Sequence, residues 1–399
     1  MKTFQHNVRY VLSFLVLFWL FSFIQWTENS VSFGPVTAEA KITEETIPPE
    51  ENAGLDKSDP HIKKVMDIQN RHTSRLLHKP EVVGTATGLT EDNKPAILVF
   101  TKKAVEAGVI PKNLEGIPVV VKVTGEIFSL KQPSPNTTIK PTSKFPRPVP
   151  IGVSTGNEKE CSSGTIGARL KDTFGNVYAL SNNHVYAREN AASPGEKVLQ
   201  PGRYDTRCVY DSRNIIGSLY NYVPINFAVC PSSGSVFTGS DNIVDAAIAI
   251  SSTDNLDNST PDNGYGTPRS SIIDAGLNQA VQKYGRTTSL TRGSIVGINA
   301  TVIVNYGPSG CARFTDQILV SSSSPFIKAG DSGSLLVIYD PNDSDLNLNV
   351  RRPVGLLFAG NSNGKYAWAN PIGEVLKNLG IDRCSNCETV PGLYIDDAP

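Results

Sequence analysis

Histidine is scarce in this chain of 399 residues, with five in all. Four of them, His6, His61, His72 and His78, precede the β-rich part, so any imidazole chemistry there falls to His184. Charge of one sign is also missing. The formal net charge is −1, which leaves no electrostatic footprint for nucleic acid. Helical heptads and fixed-period repeats are absent, which excludes coiled coils and solenoids. No cysteine occurs before Cys161. Glycine (33) and proline (27) are plentiful. That composition favours an all-β body with many turns.

The first 40 residues read as a secretory signal or membrane anchor. Lys2 and Arg9 precede an apolar run from Tyr10 to Ile24, and Ala38-Glu39-Ala40 offers a cleavage site. Left uncleaved, residues 10–26 are long enough to anchor the chain in a membrane. Either outcome exports the body to the cell envelope or beyond. All six cysteines (Cys161, Cys208, Cys230, Cys311, Cys384, Cys387) follow this segment. An even number in an exported chain permits disulfides, with 15 pairings open to six cysteines. Cys384 and Cys387 form a CxxC with no nearby histidine. It is therefore read as structural rather than as a zinc or redox site.

Residues 41–80 are polar, with several prolines, and read as a flexible or weakly helical spacer. From Glu81 to residue 130, three β-branched runs (EVVGTATGL, PAILVF, IPVVVKVTG) and KKAVEAGV predict a small ββαβ module. Its position favours a propeptide that assists folding or blocks a site; the plain alternative is a spacer. Residues 131–150 are rich in proline, threonine and lysine, and predict an extended linker that marks a domain boundary. From Ile151 to residue 399 short strands with turn signals predict a barrel or sandwich. Asn370-Pro371 opens one helix, whose apolar positions Ile372, Val375, Leu376 and Leu379 precede Gly380.

Acyl transfer by serine needs a nucleophile, a base, a carboxylate that orients the base, and N–H donors for the oxyanion. The base candidate is His184 in ALSNNHVYA, after an apolar strand. Taken alone, such a histidine is more often a cap or core residue. Ser332 lies in Ala329-Gly330-Asp331-Ser332-Gly333-Ser334, where the N–H groups of Gly330 and Ser332 can converge; an ordinary hairpin turn reads the same way. Asp245 lies inside the apolar strand NIVDAAIAI, where an unpaired carboxylate is costly. Asp241 is the weaker alternative, and a solvent-facing strand-edge aspartate is the plain one.

Together these segments resemble the trypsin/chymotrypsin-like serine peptidases, in a bacterial form with an N-terminal extension. LSNNHV resembles that family's histidine motif, NIVDAAIAI its Asp-x-Ala-Leu motif, and AGDSGSLLV its Gly-Asp-Ser-Gly-Gly motif. Their order is His, Asp, Ser. VQKYGRTTSLTRGSIVGINATVIVNYG, GLLFAG and the last helix are similar to second-barrel segments. The likeness covers about 151–380. It implies two six-stranded antiparallel β-barrels and a triad of His184, Asp245 and Ser332. It also implies an oxyanion hole from the N–H groups of Gly330, Asp331 and Ser332, and no metal or organic cofactor. Phe326, six residues before the serine, would lie at the base of the primary pocket. Phe358, Ala359 and Gly360 would form a wall that pairs with an extended peptide.

Departures from the pattern are Ser334 for the second glycine, Asn182-Asn183 before the histidine, and no Ile-Val-Gly-Gly-like new N-terminus. Ile151-Gly152-Val153 is a poor substitute for the last. The expectation is an exported serine endopeptidase that acts on a peptide or protein. The alternatives are a catalytically weak peptide-binding envelope protein and a serine esterase.

Overall fold

The computed structural model describes residues 55–129, 140–232, 236–340, 350–380 and 392–398. The signal or anchor, residues 131–139 of the proline-rich linker and the CxxC lie outside the described residues. Among those described, no helix is long and apolar enough to cross a membrane.

The first helix among the described residues is the 18-residue α1 (Pro60–Leu77), in the segment expected to be a flexible or weakly helical spacer. Asp59 caps it by accepting from the N–H groups of His61 and Ile62, and Pro60 occupies its first turn. Its buried face is Ile62, Val65, Ile68, Gln69, Thr73 and Leu76, a helical spacing masked by the polar residues between. Strands β1 (Val82–Leu89), β2 (Pro95–Thr101), β3 (Asn113–Leu114), β4 (Ile117–Val123) and β5 (Ile127–Ser129) follow. The helix expected in KKAVEAGV does not form; residues 102–112 are turns and coil. Gly108 takes a φ of +90° and Pro111 follows soon after, leaving too short a stretch for a helix. The helix that covers this sheet is α1. Its Val65, Ile68 and Leu76 pack with Ile97, Val99 and Leu114.

Eight strands form the first large sheet. They are β6 (Ser154–Asn157), β7 (Gly164–Thr165), β8 (Ala168–Lys171), β9 (Val177–Ser181), β10 (Lys197–Leu199), β11 (Ile215–Tyr222), β13 (Ala247–Ser251) and β20 (Tyr394–Ile395). Their order is β20-β8-β9-β13-β11-β10-β6-β7. The one-turn helix α2 (Asn183–Tyr186) leaves the end of β9. Strands β10 and β11 run through the polar segment between Arg188 and Asn242.

The second sheet holds a closed ring. Strands β14 (Ala280–Gly285), β15 (Ser289–Asn305), β16 (Cys311–Ser321), β19 (Tyr366–Pro371), β18 (Pro353–Asn361) and β17 (Leu335–Ile338) pair antiparallel in turn, and β17 pairs back to β14. Short β12 (Asp241–Asn242) adds to β16 in parallel. Helix α3 (Ile372–Leu379) closes the domain where the sequence places it. The architecture is therefore the double β-barrel of the chymotrypsin class. Leu170, Tyr178 and Ile248 from the first sheet meet Leu335, Leu356 and helix residues Ile372 and Val375 in a shared core.

The 81–130 segment is not a separate module. Strand β1 pairs antiparallel with β15, Gly84 opposite Val302 and Gly88 opposite Gly297, so the ring and the N-terminal strands are one sheet. Val83, Ala86 and Phe100 share a core with Val302, Phe314 and Trp368. A Cβ on Gly84 would lie 2.8 Å from Thr301 O and 2.9 Å from Val302, so the close approach needs glycine there. The described residues all belong to one compact unit, Glu50–Pro399. Among them the disulfides are Cys161–Cys208 and Cys230–Cys311.

Candidate active site

His184 sits in α2, one turn beyond β9. The sheet therefore fixes its backbone while the ring meets Asp245 and Tyr306. Its Nδ1 is 2.5 Å from Asp245 Oδ2, and its backbone N–H donates to Asp245 Oδ1 at 3.1 Å. Asp245 lies just before β13, not inside the strand as the sequence suggests. Strand β19 and the cap of α2 hold its backbone: Asp245 N donates to Asn370 Oδ1 at 3.1 Å, and Asn182 Nδ2 donates to Asp245 O at 2.7 Å. Asn182 thus has a structural task. Asn183 has another: its Nδ2 donates to Val223 O at 2.7 Å. Asp241, the weaker alternative, is in β12 and pairs with Arg313. His184 and Asp245 are both fully buried, so the carboxylate's charge is compensated by hydrogen bonds instead of water.

Ser332 follows a tight turn. Asp331 N donates to Lys328 O at 2.9 Å, and Gly330 stands third in that turn with a φ of +94°. This is a type II pattern, which requires positive φ at that position. Asp331's N–H is thereby spent, which removes it from the expected oxyanion donors. Gly330 and Ser332 keep their places as the candidate hole. The loop is bolted to the first sheet: Thr165 N donates to Ser332 O at 2.8 Å, and Thr165 Oγ1 donates to Gly330 O at 2.9 Å. Ser332 Oγ lies 3.4 Å from Phe358 O. His184 Nε2 has no hydrogen-bond partner among the described residues. Such contacts commonly tighten only when substrate arrives. Ser334 fits where the motif has glycine because residue 285 is glycine: a Cβ there would lie 2.5 Å from Ser334 Oγ and 2.6 Å from Asp331 Oδ1.

The Asp331 side chain points away from Ser332 into a buried polar nest. It accepts from Thr287 N (2.8 Å), Thr288 N (3.1 Å), Thr288 Oγ1 (2.7 Å) and Lys328 N (2.9 Å). Lys283, on β14, places its ammonium 3.5 Å away. Burial pushes the lysine's pKa down and the Asp331 charge opposes that push. Ile151-Gly152-Val153 lies inside a paired chain, with Ile151 and Val153 buried and Ile151 N donating to Ser259 O at 3.0 Å. Lys283 supplies the cation that sequence reasoning missed, because it comes from a strand with no motif of its own.

Phe326 is fully buried among Val281, Ile295 and Leu336, so its side chain belongs to the second barrel's core and gives no accessible floor to a cleft. Phe358 also faces the core, with its ring 4.8 Å from that of Phe314. The backbone of Ala359 and Gly360 pairs with this chain's own segment. Strand β5 lies antiparallel on them, Ser129 opposite Ala359, Phe128 opposite Gly360 and Ile127 opposite Asn361.

Within this geometry the chain carries the fold of the chymotrypsin-like serine proteases. Residues 267–370, less than half of the chain, match the family model described as the Nal1 C-terminal domain. Solved structures similar to the chain include Thermobifida fusca protease A, at 14% identity over 63% of this chain and 100% of that one, with a TM-score of 0.39. A glutamic acid-specific serine protease is similar at 17% identity over 62% and 100%, with a TM-score of 0.38. Cellulomonas bogoriensis chymotrypsin is similar at 18% identity over 63% and 99%, with a TM-score of 0.37. No curated protein matches the chain.

Proposed function

We propose that the chain is an exported serine endopeptidase. The observation that carries this reading is the buried His184–Asp245 pair on one barrel, together with the type II turn before Ser332, which Thr165 holds against that barrel. His184 would take the Ser332 proton and later return it to the leaving amine. Asp245 would fix the imidazole tautomer and stabilise its cation. Ser332 would form the acyl-enzyme, which water hydrolyses. The N–H groups of Gly330 and Ser332 would hold the oxyanion. An extended peptide would pair with Ala359–Asn361, where β5 now lies. Two disulfides support an oxidising, exported setting.

The N-terminal 55–129 segment acts, on this reading, as a propeptide. It shares a sheet with the second barrel and seats β5 on the substrate strand. Full burial of His184 and Ser332 supports a latent state. The test is labelling with an active-site-directed fluorophosphonate, followed by mapping of the labelled peptide. Labelling at Ser332 that disappears in Ser332→Ala and falls sharply in His184→Ala supports the peptidase. A chain that stays unlabelled, even when cut within residues 130–139, overturns it and leaves a peptide-binding protein.

A further inference from the structure

The hairpin β15–β16 is long, and its turn brings a tyrosine to the back of the candidate triad. Tyr306 Oη donates to Asp245 Oδ2 at 2.9 Å. Oδ2 is the same oxygen that meets His184 Nδ1. The Tyr306 ring lies edge-on to His184, with centroids 5.9 Å apart and planes at 70°. Phe227 packs on its other side at 5.2 Å, and Phe314 lies 6.3 Å away. Tyr306 is buried and Asp245 fully so.

We propose that Tyr306 is a positioning residue for the triad, holding Asp245 Oδ2 in the plane of the His184 imidazole through its phenolic hydrogen bond. The inference rests on the serine peptidase reading above. The His184 backbone N–H already holds Asp245 Oδ1; the phenol adds a second donor on Oδ2 and fixes the lone pair that faces the imidazole. A hydroxyl suits this task because it donates without adding charge. A cation in its place would compete with the imidazolium that Asp245 must stabilise. Burial and the neighbouring Asp245 charge push the Tyr306 pKa well above 10, so the phenol stays protonated and remains a donor.

The hairpin tip is itself held in place. Asn305 pairs with Phe128 of β5, and Asn305 Nδ2 donates to Glu126 Oε1 at 3.1 Å.

The experiment is Tyr306→Phe in the full chain, with Tyr306→Leu as a packing control and Asp245→Asn as the background for a double-mutant cycle. The readouts are the fluorophosphonate labelling rate at Ser332, kcat and KM on a peptide ester, and the melting temperature. Phenylalanine keeps the ring contacts and removes only the hydroxyl. Expected is a fall of about tenfold in labelling rate and in kcat, with KM changed by less than about twofold and no further loss when Tyr306→Phe is added to Asp245→Asn. Tyr306→Leu should fall as far in kcat while also lowering the melting temperature.

A labelling rate equal to the wild type in a folded Tyr306→Phe chain would falsify the proposal, as would a rise in KM alone or a loss that adds fully to that of Asp245→Asn. Should Tyr306→Phe not fold, a folded Tyr306→Leu chain with wild-type labelling overturns it equally. A wild-type chain that never labels, even when cut within residues 130–139, overturns the peptidase reading and this inference together. A labelled wild type with an indifferent Tyr306→Phe overturns this inference alone.

Discussion

The Lys283 ammonium lies 3.5 Å from the Asp331 carboxylate, and neither side chain reaches solvent. Lys283 also donates to Ser289 O at 3.0 Å and bonds Thr288 Oγ1. The loop that shapes the candidate oxyanion hole is thus tied to a lysine already inside the folded chain. It needs no freshly cut N-terminus. Replacing Lys283 with methionine leaves a buried anion without its cation, which costs about 3–5 kcal/mol. Lys283→Met is therefore expected to lower the melting temperature and to abolish labelling of Ser332. A melting temperature and labelling rate equal to the wild type would show that Asp331 is held by its four hydrogen bonds alone.

The same lysine sets an alkaline limit. Burial lowers its pKa below the ordinary 10.5. As pH rises through that lowered value the ammonium is lost and Asp331 keeps its charge without a partner. The labelling rate should fall on the alkaline side before pH 10.5. In Lys283→Arg the cation persists, since guanidinium does not deprotonate in proteins. The fall should then move to higher pH. Labelling rates measured from pH 7 to 11 decide this, and superimposed curves for the two proteins would place the limit elsewhere.

Strand β5 lies where an extended peptide would pair. Proline has no N–H to give a ladder, so replacing Phe128 and Ser129 with prolines should lift the strand from Ala359 and Gly360. If the bound segment keeps the site closed, the labelling rate of Ser332 should rise at least about fivefold, in proportion to the open fraction. An unchanged or slower rate would make β5 a structural strand and assign the burial of Ser332 to something else.

How much of this was legible in the sequence depends on whether a residue's role was local. His184, Asp245 and Ser332 each sit in a short segment that is ambiguous alone and readable only with the other two, and the structure places the first two in direct contact. The terminal helix was legible because Asn370-Pro371 and Gly380 bound it. Helix α1 was legible only as a flexible or weakly helical spacer because lysine, arginine and asparagine crowd between its buried positions. The single sheet shared by β1 and β15 could not be seen, because pairing between Gly84 and Val302 leaves no local trace. Tyr306 and Lys283 were missed for the same reason, since each acts on a residue far away in the chain. Asn182 and Asn183 looked like departures from a motif and prove to be anchors for Asp245 and Val223.

The β1–β15 pairing predicts that the N-terminal segment is required for a stable second barrel. A side chain at Gly84 would strike the Thr301 carbonyl and Val302. Gly84→Val should therefore cost about 1–3 kcal/mol, the usual range for overpacking, and lower the melting temperature. Gly108→Ala is the contrast: nothing lies within 4 Å of its added Cβ, so only its φ of +90° opposes it. Equal melting temperatures for Gly84→Val and the wild type would argue that the two sheets part easily.

Glu196 offers a test of acid stability near α2. Its carboxylate accepts from Arg188 Nη2 (2.9 Å), Lys159 Nζ (2.9 Å) and Asn157 Nδ2 (2.9 Å). Asn157 Nδ2 also donates to Tyr186 O at 2.8 Å, so this cluster secures the helix that carries His184. Burial alone would raise the Glu196 pKa, but the hydrogen bonds from Arg188, Lys159 and Asn157 outweigh it and bring it from 4.5 to about 2. A carboxyl with a depressed folded pKa stabilises the fold above its unfolded pKa. That contribution drains away as pH falls from 4.5 toward 2. The lowered pKa corresponds to about 3 kcal/mol at neutral pH. Denaturant unfolding of the wild type and Glu196→Gln, followed from pH 7 down to 2, reads it directly. The wild type should be the more stable at pH 7, and the gap should close across the acid range. A gap that stays constant with pH would mean that Glu196 acts by shape and not by charge.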